Sequence, residues 1–316
     1  MDRELLRRHR VLNRLHSGLL LVAMAGLLAL VGWLFAGGAG VVWFVMLAIV
    51  LAAMSPNVSP RFILRMYRAR ELAPGEAPGL HQVVAELARR AGLGRFPRLF
   101  YVASPVLNAF ALGGSEQSFI VVSDGMLRKL APRELAGVLA HEISHVRNND
   151  ISVMGLADLF SRMTSLLSSA GQLLLFFNLP LILFSEYRIN WWAIGVLIAA
   201  PVVSSLIQLA LSRSREYDAD IGAAELTGDP EGLANALSRI ERYQNNVFEQ
   251  IIMPGRGVPE PSILRTHPHT GERLRRLRSL RPESSSARLA DPDVPDSLLW
   301  AGRQSSPRWR SPGMWY

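Results

Sequence analysis

The sequence predicts an α+β chain, mostly α, that passes through a membrane more than once and carries a small sheet beside a metal-binding helix. Three observations predict it. Two pairs of long apolar runs, near residues 17–55 and 163–211, have the length and composition of membrane helices. Short β-rich runs lie between them. A helical stretch after those runs places two histidines one turn apart.

Ser17 to Phe35 is an almost unbroken apolar run, long enough to cross a hydrocarbon core of ~30 Å. Gly37-Gly38-Ala39-Gly40 interrupts it, and Val41 to Met54 is a second run. The pair reads as a helical hairpin over 17–55 with almost no loop. A cleaved signal peptide is disfavoured, because the first run is long and a second follows at once. Arg3, Arg7, Arg8, Arg10 and Arg14 lie in the basic segment 1–16 before the hairpin. Arg61, Arg65, Arg68 and Arg70 follow it, and the connection carries no charge. The positive-inside rule then puts both flanks in the cytoplasm, at an inner cell membrane.

Residues 56–150 read as the first half of a catalytic domain. Gly79 to Ala91 is an amphipathic helix with Val83, Val84 and Leu87 inward. Arg98 to Val102 and Phe119 to Ser123 are strands, and Asn108 to Ala111 is a third ahead of a Gly113-Gly114 turn. Pro132 suits the first turn of a helix, with Glu134 near its positive end. Leu135, Val138 and Leu139 give that helix an apolar stripe, and it runs through Val146 to Asn148-Asn149-Asp150. A small sheet followed by such a helix resembles the order of a zincin-like domain.

This helix contains His141-Glu142-Ile143-Ser144-His145. Positions four apart share a helix face, so His141 and His145 can offer nitrogens to one metal ion, and Glu142 can reach a water there. The chain has no cysteine, so a zinc site must be built from histidine and carboxylate.

A third ligand is needed. Candidates downstream are Asp150, Glu216, Asp218, Asp220, Glu225, His267 and His269. Asp150, five residues past His145 on a straight helix, points elsewhere. Glu216 and Asp220 are four apart, so one face carries both. Glu216 could bind the metal while Asp220 accepts the outer N–H of a ligand histidine. Spacing alone slightly favours a plainer alternative, a charged helix with internal Arg/Asp/Glu pairs.

The second apolar pair, Met163 to Phe184 and Trp191 to Leu211, is interrupted by Gln172, Asn178, Pro180, Pro201, Ser204 and Ser205. We read 163–211 as a second transmembrane hairpin, with Arg162, Arg213 and Arg215 again on the cytoplasmic side. The metal site must then lie close to the membrane surface. Residues 212–280 form the second half of the catalytic domain, including a helix over Gly228 to Gln250. A basic helix over Thr270 to Leu280 has Leu274, Leu277 and Leu280 on one face. The tail 281–316, rich in Pro, Ser and Arg, is expected to be disordered.

Four motifs resemble the HtpX-type membrane zinc metalloproteases, relatives of the type I CAAX prenyl proteases. They are Asn108-Ala109-Phe110-Ala111-Leu112-Gly113; Glu134-Leu135 leading to Val138-Leu139-Ala140-His141-Glu142 and His145; Ser212-Arg213, Glu216 and Ala219-Asp220; and Thr266-His267-Pro268, Thr270 and Arg273-Leu274. They fall in the family's order between about Leu80 and Leu280. The resemblance implies one zinc ion per chain, with Glu216 as third ligand and Asp220 behind a ligand histidine. It implies a membrane-anchored endopeptidase that takes unfolded or membrane polypeptides. It also places the His267 motif near the site, which makes His267 a candidate donor to the tetrahedral intermediate. Asn108, Ala109, Phe110 and Ala111 are expected to hold the substrate backbone as an edge strand. Rival readings are a prenyl-protein processing protease and a scaffold with a structural zinc site. Glu142 speaks against the scaffold, because a structural site has no need of it.

Composition agrees with a membrane partner. Hydrophobic residues make up 49% of the 316, the net charge is +8, and the pI is near 10.6. A basic chain suggests nucleic acid or an anionic membrane face. No nucleic-acid-binding motif is present, and the arginines cluster beside apolar runs, so the lipid bilayer is the expected partner.

Overall fold

Helices dominate the computed structural model, which describes residues 3–54, 60–114, 117–184, 190–252 and 270–280. Helix α1 (Arg3–Met54) leaves helical geometry at Ala36 and Gly37. Gly37 takes a positive φ there, as a residue without Cβ can. The chain reverses at that point: a Cβ on Gly40 would collide with the carbonyl of Gly32, which in a straight helix would lie two turns away. Leu28 and Ala48, from the two arms, pack into one cluster with Met163.

Two further long helices pack on α1. They are α6 (Asp150–Phe184) and α7 (Trp191–Thr227). Their outer surfaces are apolar, with Leu166, Phe176, Phe177, Ile198, Val202 and Leu206 exposed. Among the described residues, Val11–Val50 and Trp191–Thr227 are long and apolar enough to cross a membrane. Helix α7 does not stop where its apolar half ends at Leu211. It continues for four more turns as the carrier of Arg215, Glu216, Asp218 and Asp220.

The sheet has four strands in the order β1 (Arg70–Glu71), β2 (Arg98–Val102), β4 (Ser118–Ser123), β3 (Ala109–Gly113). Strands β2 and β4 run parallel, and β3 is antiparallel to β4 and forms one edge. The β3 strand is shifted one residue onward from the expected Asn108 start. Gly113 at φ +84 begins the turn into β4, where a Cβ would strike the Gln117 carbonyl. Three elements go beyond the sequence reading. Helix α2 (Pro60–Met66) and strand β1 are too short for a periodic signal. Helix α4 (Asp124–Lys129) is announced by Ser123, whose hydroxyl accepts the Met126 N–H at 3.2 Å as an N-cap.

Helix α5 (Pro132–Asn148) carries the two histidines through the centre of the domain. Pro132 opens it, and the Glu134 carboxylate accepts the Ala131 N–H at 2.9 Å. Its Leu135, Val138, Leu139 and Ile143 join the core with Leu80, Val83, Val84 and Leu87 of α3 (Pro78–Ala91) and Ile120 and Val122 of β4. Leu233 of α8 (Pro230–Ile252) and Leu277 of α9 (Thr270–Ser279) close it from the other side. At Gly137 the α8 backbone comes so close that a Cβ would lie 2.7 Å from the Leu233 nitrogen. Helix α5 also packs on α7 and on the edge strand β3, while α9 packs on α7 and α8.

Candidate metal centre

Three ligand-type atoms converge where α5 crosses α7. The Nε2 atoms of His141 and His145 lie 3.1 Å apart. Glu216 reaches over from α7, with Oε2 3.5 Å from His141 Nε2 and Oε1 3.7 Å from His145 Nε2. His141, His145 and Glu216 form the metal-type cluster found among the described residues, their ligand atoms within 4.8 Å of one another.

The outer nitrogens of both imidazoles are occupied, which turns both Nε2 atoms inward. His141 Nδ1 faces Asp220 Oδ1 at 3.1 Å. His145 Nδ1 faces Asp150 Oδ2 at 2.8 Å. The second contact corrects the expectation that Asp150 points elsewhere. Asn149 takes a left-handed conformation, φ 56 and ψ 35, and caps α5. Asn tolerates that region better than other residues with a Cβ. The chain therefore turns before Asp150, which starts α6 and swings its carboxylate back under His145.

Arg273 is a further member, buried at 3% exposure. Its Nε and Nη2 donate to the two oxygens of Asp220 at 2.8 and 2.7 Å, and its Nη1 lies 3.0 Å from Glu216 Oε2. Sequence reasoning quoted this arginine within a motif but gave it no role. Only its burial among carboxylates reveals one.

Electrostatics favour a cation at the convergence. Among the described residues, Glu142, Asp150, Glu216, Asp218 and Asp220 are buried here with two buried guanidiniums, Arg215 and Arg273. Burial disfavours a charge on His141, yet its contacts with Asp220 and Glu216 outweigh that, and its pKa is pushed up to about 10. Burial opposes ionisation of Asp220 as well, but Arg273 and His141 hold its pKa below the usual carboxylate range. Such an excess of buried negative charge is costly unless a cation joins it. The donor set of two imidazoles and one carboxylate, each contacted on its outer side by a carboxylate or a guanidinium, fits a divalent metal such as zinc.

Glu142 follows His141 on the same helix. Its Oε2 accepts the backbone N–H of Ala111, from the edge strand β3, at 2.9 Å. Ala109, Phe110 and Ala111 lie in β3. Asn108 stands just before it, its carbonyl accepting the Ser123 N–H at 3.0 Å. The edge strand and the glutamate are thus brought together. His267 and His269 lie outside the described residues, as does the tail 281–316.

Comparison with known proteins gives a consistent picture. The family model described as Peptidase family M48 matches residues 74–281. A protein described as Protease HtpX homolog from Desulfatibacillum aliphaticivorans is 33% identical over 286 residues, covering 87% of this chain and 92% of that protein. Proteins of the same description from Pyrococcus furiosus and Aquifex aeolicus are 36% and 37% identical. They cover 84% and 80% of this chain, and 96% and 88% of their own lengths. Among solved structures, the crystal structure of S. mikatae Ste24p matches with a TM-score of 0.45 at 23% identity. That match spans 85% of this chain and 66% of the other.

Proposed function

The chain belongs to peptidase family M48, and on that premise we propose that one Zn2+ is held by His141, His145 and Glu216, with Glu142 as the general base of peptide hydrolysis. The protein is a membrane metalloprotease, a hydrolase acting on peptide bonds. The observation that carries the residue assignment is the convergence of His141 Nε2, His145 Nε2 and the Glu216 carboxylate beside Glu142.

Zinc held there would supply Lewis acidity, lowering the pKa of a bound water and polarising the scissile carbonyl. The chain's own groups do the rest. Glu142 takes a proton from the attacking water and returns it to the leaving amine. It stands within reach of β3, where an extended peptide would add as a further strand along Asn108 to Ala111. Main-chain pairing of that kind demands little of the substrate sequence, which suits unfolded or damaged membrane polypeptides. Asp220 holds His141 in the tautomer that leaves Nε2 for the metal. Arg273 fixes Asp220 and Glu216 together. His267 is the proposed donor to the oxyanion.

Glu142→Gln tests the assignment. The variant should keep stoichiometric zinc and lose roughly 10²–10⁴-fold in turnover of an unfolded membrane protein, because a general base is removed and no ligand is. Turnover equal to the wild type would reject Glu142 as the base.

A further inference from the structure

A buried polar chain leads from His145 out of the catalytic domain and into the first apolar helix. Asp150 uses Oδ2 for His145 Nδ1 at 2.8 Å. Its other oxygen, Oδ1, accepts Arg215 Nη1 at 3.3 Å. Arg215 in turn reaches α1: its Nε donates to Ser17 Oγ at 3.0 Å, and its Nη2 donates to the same hydroxyl and to the Asn13 carbonyl, the latter at 3.4 Å. Asn13 also donates from Nδ2 to Asp218 Oδ1 at 2.6 Å, on the turn of α7 that carries Arg215. Ser17, Asp150, Arg215 and Asp218 are all buried. Asn13 and Ser17 are four apart, so they share the face that α1 turns toward α7.

A carboxylate gripped at one oxygen can still rotate. Asp150 is gripped at both, by an imidazole N–H and by a guanidinium, so its orientation is determined by where Arg215 stands. A planar guanidinium can hold Asp150 and Ser17 at once, which an ammonium cannot do in the same geometry. Arg215 is buried and needs these partners to stay there. Its position therefore depends on α1, 198 residues away in the chain.

We propose that Asp150 and Arg215 are positioning residues for the metal ligand His145, and that the seating of Asn13 and Ser17 of the first apolar helix on α7 sets the affinity of the metal centre. The inference rests on the reading of His141, His145 and Glu216 as a zinc site. Loss of the α1 seat would loosen Arg215, then Asp150, then the imidazole, with no change to any ligand. A membrane helix would in this way report its docking to the catalytic centre.

Zinc affinity of the full-length protein in detergent, measured by competition with a chromophoric chelator, tests it, with melting temperatures recorded for each variant. Asp150→Ala should bind zinc roughly 10–100-fold more weakly, the usual cost of removing the acceptor behind a ligand histidine. Asp150→Asn, which keeps an acceptor, should recover part of that loss. Ser17→Ala, which touches no ligand, should weaken binding several-fold, a fraction of the roughly tenfold or more of one hydrogen bond to a charged group, because it reaches the metal only through Arg215 and Asp150. Its effect should vanish in the Asp150→Ala background, because both act through one carboxylate. A merely structural role for Ser17 would lower the melting temperature and leave zinc affinity unchanged.

Wild-type affinity in either Asp150→Ala or Ser17→Ala, or additive losses in the double variant, would overturn the inference. If Asp150→Ala does not fold, Ser17→Ala alone decides. Wild-type protein that takes up no stoichiometric zinc would overturn the zinc-site reading and this inference with it. Wild type that binds zinc beside an equally tight Ser17→Ala variant would overturn this inference alone.

Discussion

Glu216 is held from two sides. Its Oε1 lies 3.7 Å from His145 Nε2, while Oε2 receives Arg273 at 3.0 Å. The arginine fixes the carboxylate plane, with Oε2 still 3.5 Å from His141 Nε2 and Oε1 turned toward His145. Glu216→Ala is therefore expected to abolish stoichiometric zinc binding, whereas Asp220→Ala should retain zinc with affinity lowered roughly 10–100-fold. Zinc titration of both variants checks the order, and equal zinc content in Glu216→Ala and wild type would remove Glu216 from the ligand set. At this scale the sequence was most legible where chemistry and helical spacing coincide, as at His141, Glu142 and His145. Glu216 needed the family resemblance, because a charged helix explains its spacing as well. Asp150 departs from the expectation because α5 ends at Asn149 and does not run straight on. The Asn148-Asn149 pair was the available signal, since Asn is favoured in the left-handed conformation that ends a helix. Arg273 carried no signal of its own: a basic helix and a buried arginine look alike in sequence.

The edge strand is the element whose role most affects substrate handling. In the register of β3 with β4, Ala111 stands opposite Ile120, and its N–H points off the ladder to Glu142. That N–H, taken by Glu142, lies on the side where a peptide strand would add. Ala111→Pro removes it. The variant should keep its fold and zinc but cleave an extended peptide on the order of tenfold more slowly in kcat/KM, the scale of one hydrogen bond to a charged group. Unchanged kinetics in a folded, zinc-loaded variant would rule out strand addition at this position. The strands were readable from β-branched and aromatic runs, though the start of β3 was placed one residue early. Alternation says which face a residue takes but not where pairing begins, and here pairing starts beyond Asn108, whose own backbone N–H goes to the Ser123 hydroxyl at 3.1 Å. The amphipathic face of α3 was fully legible, because Val83, Val84 and Leu87 leave no second way to bury it.

Across the whole molecule, charge and aromatic residues separate to opposite ends of the apolar helices. Arginines flank residues 17–55 on their open side, and Arg162, Arg213 and Arg215 stand at the corresponding ends of the apolar stretches within α6 and α7. At the other end lie Trp33 and Trp43, either side of the reversal at Ala36 and Gly37, and Trp191 and Trp192 at the start of α7, all exposed. Tryptophan collects at membrane–water interfaces and arginine on the cytoplasmic side. Each arm of α1 has close to the ~20 residues needed to cross a hydrocarbon core. With α6 and α7 as a second pair, we propose four crossings that return the chain to its starting side. At a rise of ~1.5 Å per residue, Glu216 sits only about 8 Å along α7 from Leu211, where the apolar part ends, so the metal centre would lie just beneath the membrane surface on the arginine side. Both chain ends should then be cytoplasmic. A topology reporter fused after Ser55 and another fused after Tyr316 should both give the cytoplasmic signal. Because the arms of α1 double back on each other, a reporter after Ser55 that reads outside would place the open side of the hairpin, and the metal centre with it, outside the cytoplasm. A reporter after Tyr316 that reads outside, with Ser55 inside, would mean that α6 and α7 do not cross as a pair.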